Sequence, residues 1–185
     1  AIPVGFQPDV VIVDSDQEAA IRTTSMGAGD VSKGMETAAA PTFGLISSRT
    51  TEGFTVGGFD ARVNQAGKSY HWVAFKAAPG SLVVGSYAGN GSSQTVSGVG
   101  FQPEAVMVVS GGTGTPVFRT RSMAANLSHN FAAVGVTNAI TSLTADGFAV
   151  GSSSDVNASG TTYHYVAWNA TSGVMAEGAY TVYVQ

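Results

Sequence analysis

The pentapeptide Val4-Gly5-Phe6-Gln7-Pro8 returns unchanged as Val99-Gly100-Phe101-Gln102-Pro103. Each copy runs into an apolar stretch, Val10–Val13 in the first and Ala105–Val109 in the second. A repeat constrains architecture more than any local signal, because one supersecondary unit must then be built twice. Three further blocks recur in the same order. Arg22 and Met26 match Arg119 and Met123. Glu52-Gly53-Phe54-Thr55-Val56-Gly57 matches Asp146-Gly147-Phe148-Ala149-Val150-Gly151. Tyr70-His71-Trp72-Val73-Ala74-Phe75 matches Tyr163-His164-Tyr165-Val166-Ala167-Trp168. The four blocks are offset by 95, 97, 94 and 93 residues, so the copies share element order and nearly share loop lengths.

The local patterns read as strands. Residues 4–13 form one, Ala19–Thr24 another, and Glu-Gly and Asp-Gly each close a tight hairpin in which glycine takes positive φ. One helical turn fits within Val31–Ala40. Tyr70–Phe75 is rich in aromatic and β-branched residues. Period two puts Tyr70, Trp72 and Ala74 on one face and His71, Val73 and Phe75 on the other. Both faces are largely apolar, which predicts a central strand covered on both sides. Asn64–Gly67 and Asn157–Gly160 are matching turns.

The copies differ in phase. Leu82–Tyr87 and the lead-in Gly89-Asn90-Gly91 precede the second pentapeptide, and the first copy has no such lead-in. Leu82–Tyr87 corresponds to Val174–Tyr180, which leaves Tyr180–Gln185 as a spare strand. The expected fold is all-β: two tandem, pseudo-symmetric antiparallel β-sandwich units in close contact, with jelly-roll or Greek-key wiring; a barrel is the alternative. The first unit spans 1–85 and is completed by a C-terminal strand, 178–185. The second spans 86–177. Pairing of that strand within the chain is the first choice, and exchange with a neighbouring subunit the second.

Composition narrows function by exclusion. The 8 basic and 12 acidic residues give a net charge of -4. No electrostatic footprint for nucleic acid results. The charged fraction is 11%, against about 25% in an ordinary soluble domain. Such a surface repels its neighbours weakly; it suits packing in an assembly and equally a robust extracellular module. Cysteine is absent, so thiolate metal sites, disulfides and cysteine nucleophiles drop out. No apolar run reaches the roughly 18 residues of a membrane span.

Candidate site residues come in equivalent pairs. His71 and His164 share a strand position and fit either a ligand contact or a ring satisfied by neighbouring strands. Arg22 and Arg119 fit an internal ion pair or a clamp on loop carbonyls, with an anion or subunit contact as the other reading. Gln7 and Gln102 precede prolines and are expected to tie down the adjoining turn. Asp14, Asp16 and Glu18 alternate as calcium ligands can, but lack the glycine and distal glutamate of an EF-hand; a solvated turn is the expected state. Tyr70, Trp72, Tyr87, Tyr163, Tyr165 and Tyr180 would make a sugar platform if a pair stood exposed, and otherwise pack the core. No catalytic, cofactor or metal set is expected. His129, in a loop, is the best chance for a hydrolase assembled across the units.

The ordered blocks Tyr87-x-Gly89-Asn90-Gly91, Val99–Glu104, Asp146-Gly147-Phe148-x-Val150-Gly151 and Tyr165-Val166-Ala167-Trp168 resemble repeats in virion proteins of tailed bacteriophages. The resemblance implies β-sandwich modules of tail-fibre, head-fibre or decoration-type surface proteins, without a catalytic set. The partners it implies are copies of the chain and other virion proteins, in a virion or another extracellular setting. A carbohydrate-binding module reaching a cell-surface glycan is the alternative.

Overall fold

The computed structural model describes residues 1–58, 60–132, 135–170 and 175–181. The first half contributes β1 (Ile2–Pro3), β2 (Val10–Asp14), β3 (Ala20–Thr23), β4 (Val31–Gly34), β5 (Thr42–Phe43), β6 (Ile46–Thr50), β7 (Gly53–Val56) and β8 (His71–Phe75). The second contributes β9 (Leu82–Ala88), β10 (Gln94–Ser97), β11 (Ala105–Ser110), β12 (Val117–Thr120), β13 (Leu127–Asn130), β14 (Gly135–Thr137), β15 (Ile140–Thr144), β16 (Gly147–Val150), the short helical turn α1 (Ser154–Asn157) and β17 (Thr162–Trp168). All pairings are antiparallel among the described strands.

The repeat in sequence is a repeat in topology. A small sheet β1-β7-β6 recurs as β10-β16-β15, and a large sheet β5-β4-β3-β2-β8 recurs as β14-β13-β12-β11-β17. Both hairpins break register at the same place, between Ile46 and Ser48 and between Ile140 and Ser142. Among the described residues only the second large sheet carries a sixth strand, β9, beside β17. β9 spans the 85/86 boundary expected between the units.

Alternation along the strands explains the layering. Val11 and Val13 of β2 face Ile46 and Phe54 of the small sheet. Val106 and Val108 of β11 face Ile140 and Phe148 in the same way. The opposite faces pack against each other: Val10, Ile12 and Ile21 from one large sheet meet Met107, Val109 and Val166 from the other. Both faces of each large sheet are therefore buried, which is why these strands read as continuous apolar runs. Burying each Phe side chain stabilises the fold by about 1.5–3 kcal/mol.

Three expectations are corrected. Residues 4–13 do not form one strand; β1 ends at Pro3 and β2 begins at Val10, because Gly5 at φ 86° turns the chain between them, as Gly100 does at the same φ. The stretch 31–40 opens as strand β4 rather than a helical turn, since Ala20 and Ile21 offer it an edge. β8 is an edge strand, not a central one. Its face assignment is right: Tyr70 and Ala74 pack on the first half's core and Phe75 on the inter-sheet core. β8 pairs with β2 on one side, and no strand pairs with its other side among the described residues, because β9 pairs with β17 instead. Of the expected C-terminal strand, residues 178–181 are not in a strand, and 182–185 lie outside the described residues.

Candidate functional site

The two arginines are built into the frame. Arg22 and Arg119 sit at equivalent positions of β3 and β12 and are buried. Arg22 Nη1 donates to the carbonyls of Ile46 at 2.9 Å and Ser47 at 3.3 Å, and Nη2 to those of Gly27 at 3.5 Å and Gly29. Arg119 Nη1 donates to Leu127 and Ile140, and Nη2 to Met123 and Ala124 at 3.2 Å each. A planar fork reaches several carbonyls at once, which a lysine cannot do. Burial lowers both pKa values; for Arg22 the nearby Arg49 adds to this and Asp30, 4.0 Å away, opposes it. Each guanidinium ties a large sheet to a small-sheet hairpin and to its own following loop.

The remaining pairs diverge. His164 is half-buried; its Nδ1 meets Ser25 Oγ at 3.1 Å, and burial lowers its pKa. Ser25 also bonds Thr23 Oγ1 at 2.9 Å. His71, its counterpart, is exposed on the β8 edge. Gln102 Nε2 donates to Leu143 O at 3.1 Å and its Oε1 accepts from Arg121 at 2.8 Å. Gln7 is exposed, and Arg49, which donates to Pro8 O at 3.2 Å, fastens that corner. His129 lies on β13 against the ring of Phe118.

The acidic loop is occupied by protein partners. Asp14 accepts from Ser15 N–H at 2.9 Å, and Asp16 pairs with Lys68. Glu18 accepts from the Glu36 and Thr37 amides and from the Thr37 hydroxyl, and pairs with Arg62 at 3.1 Å. Among the described residues no group of three or more His, Asp or Glu converges as a metal would need.

Two buried polar groups carry no signal in residue type. Lys33 is fully buried; its Nζ donates to Ala39 O and to Gly112 O at 2.9 Å, joining the two halves. Desolvation lowers its pKa to about 8, against the pull of Glu18 and Asp155. Asn157 is fully buried and holds the lead-in: its Oδ1 accepts from Asn90 N–H at 2.9 Å and Gln94 Nε2 at 2.7 Å. The matching Asn-x-x-Gly turns did point to position 157. Its counterpart Asn64, where no lead-in exists, is exposed and bonds Gly57 O at 2.8 Å.

The surface shows where contact chemistry is available. Phe43, at the outer edge of the first large sheet, is 71% exposed, and Trp72 on the β8 edge is 45% exposed beside an exposed Val73. Trp72's counterpart Tyr165 is only 7% exposed. Tyr70, Tyr87, Tyr163 and Tyr165 pack in the cores. An apolar cavity of about 580 Å3 lies between the two large sheets, lined by Phe75, Leu82, Met107, Phe118 and Trp168, with Met175 of the tail at its rim. Ser25 and His164 do not line it.

The described residues thus form an all-β fold without a clustered metal-binding set, consistent with action through surface contacts. No described helix is long and apolar enough to cross a membrane. No curated protein matches the chain, and no solved structure does. Residues 80–182 match the family described as a domain of unknown function, DUF7483; the match takes in more than half of the sequence, and the chain belongs to that family.

Proposed function

We propose that the protein is a non-catalytic module that works through contacts of its own surface. The observation that carries this reading is the exposure of large aromatic side chains, Phe43, Trp72 and Tyr180 among them, on a surface poor in charge. Exposed apolar groups on such a surface mark sites of association.

Two forms of contact fit. Phe43 pairs across the strands with Val31 at the open edge of the first large sheet, and its ring is largely exposed. An exposed aromatic face suits the apolar face of a sugar, which supports a carbohydrate-binding module attaching to a host or polysaccharide surface. The duplicated sandwich, its weak charge and its likeness to phage surface repeats support a structural component of a virus particle or other extracellular assembly, held by copies of itself and other virion proteins. Jelly-roll or Greek-key wiring of the two halves belongs to the same reading.

One comparison separates the forms. Wild type and Phe43→Ala are tested on a glycan array and weighed by mass photometry, with electron microscopy of any large species. Glycan binding lost in the variant supports the sugar form. Oligomers that dissociate in the variant support the assembly form. A wild type that stays monomeric and binds no glycan removes both.

A further inference from the structure

The second half shows how a β8-type edge is closed. β9 pairs along β17 from Leu82 opposite Trp168 to Ala88 opposite Thr162. The chain after β17 repeats the chain after β8 without a gap: Ala74-Phe75 leads to Leu82 and Gly85-Ser86-Tyr87, and Ala167-Trp168 leads at the same spacing to Met175 and Gly178-Ala179-Tyr180. We propose that Met175–Thr181, which is not in a strand in this structure, adds to the open edge of β8 as a β strand of the same chain when the fold closes, making both large sheets six-stranded.

The register follows from the equivalence. It sets Met175 opposite Phe75, Glu177 opposite Val73, Gly178 opposite Trp72, Ala179 opposite His71 and Tyr180 opposite Tyr70. Two of these pairs have a close precedent in the second half. A Cβ on Gly85 would overlap the Tyr165 ring, so that ring can lie across its neighbour only because the neighbour is glycine. Gly178 offers Trp72 the same space. Tyr87 stacks on Tyr163 with centroids 5.5 Å apart. Tyr180, 90% exposed, is the matching ring for Tyr70.

The start of the tail is already beside its berth. Met175 lines the cavity that Phe75 lines. Glu177 Oε2 accepts from Ser122 N–H at 3.0 Å. Ser122 is the counterpart of Ser25, which lies in the 3-10 turn Thr24–Met26 packed against β9. Phe75 and Trp168 are counterparts too, and their rings touch edge to face with centroids 6.0 Å apart. Equivalent residues meet each other where two copies face across a two-fold axis. Under that symmetry, if the strand after β8 closes β17, the strand after β17 closes β8. Glu177, where the first copy has Val84, departs from the pattern, and Ser122 satisfies its carboxylate.

Closure would also bury Trp72, while Phe43 on the far edge of the same sheet would stay exposed for the proposed function. The inference does not depend on what that contact binds.

The chain has no cysteine of its own, so one engineered pair gives an unambiguous reading. His71→Cys with Ala179→Cys is oxidised in dilute solution beside a control pair on the template, His164→Cys with Ser86→Cys, which face each other in β17 and β9. The expected result is near-complete disulfide formation in both proteins, each remaining one chain by mass. Disulfides that link two chains in the test pair overturn closure within the chain and assign the strand to a second copy. Free thiols in the test pair while the control pair closes overturn the strand itself. Gly178→Val is a second variant: its Cβ would meet Trp72, so Trp72 emission should shift to the red and its acrylamide quenching rise. An unchanged spectrum counts against the register.

Discussion

The Tyr165 ring occupies the space that a Cβ at Gly85 on the neighbouring strand would fill. That one relationship fixes how closely β9 and β17 approach. Gly85→Ala should therefore cost about 1–3 kcal/mol through overpacking. Gly58→Ala, where a Cβ meets nothing within 4 Å, should stay within about 0.5 kcal/mol of wild type. Urea midpoints of the two variants test this, and equal midpoints would refute the packing account.

Asn157 and Asn64 offer a matched pair for a second prediction. The Asn157 amide bonds Asn90, Gln94 and Gly151 O, the last at 2.7 Å and buried. Asn157→Leu keeps the volume and strands those groups, at an expected cost of about 2–4 kcal/mol, since each unpaired buried polar group costs about 1–3 kcal/mol. Asn64→Leu removes one exposed bond and should cost under about 1 kcal/mol. Denaturation curves that shift equally would show that the lead-in does not depend on Asn157.

The sequence made the hairpins legible because their chemistry is local. Asp146-Gly147 reads as a turn, and in the structure the Asp146 carboxylate also accepts from the amides of Gly98 and Gly100 at 2.9 and 2.7 Å, pinning the repeated pentapeptide. The pairing of equivalent arginines was visible for the same reason that the repeat was. The fate of Tyr70–Phe75 was not visible. Its pattern matches Tyr163–Trp168 almost residue for residue, so nothing local tells an edge strand from a covered one. The difference lies in a partner several strands away. Lys33 was hidden differently: a lysine between a serine and a glycine reads as solvated, and only the meeting of the 37–41 loop with the Gly111–Gly114 turn encloses it. Phe43 stood in an unremarked two-residue strand, and exposure cannot be read from so short a pattern.

Arg22 tests whether the buried guanidinium acts by charge or by reach. Arg22→Met removes the guanidinium bonds to the carbonyls of Ile46, Ser47 and Gly27, of which Ile46 O keeps the Ser32 hydroxyl as donor, and should cost about 2–4 kcal/mol. Arg22→Lys keeps the charge but loses the planar fork, so it should recover less than half of that loss. Thermal and urea unfolding of both variants decide the point. Full recovery in the lysine variant would mean that a single cation, rather than a carbonyl clamp, is what the site requires.

Lys33 makes stability depend on alkaline pH, with a definite sign. Its folded pKa is lowered by burial to about 8, while the unfolded chain titrates near 10.5. Below the lower value both states hold the proton, and Lys33 contributes no slope. Between the two values the unfolded chain is protonated and the folded one is not. Stability then rises with pH, because the unfolded state binds more protons. Above the upper value the contribution is flat and fully present. Tyr87, whose pKa burial pushes up in the folded state, also contributes a slope in this range through the unfolded chain, so the measurement is a difference. Urea midpoints of wild type and Lys33→Met are compared from pH 7 to pH 11. The variant loses the bonds to Ala39 and Gly112 at every pH, which lowers its curve. Beyond that offset, wild type should gain on the variant between about pH 8 and 10.5. Curves that stay parallel across that interval would show that Lys33 keeps an ordinary pKa, and that its ammonium is held between the halves without a desolvation cost.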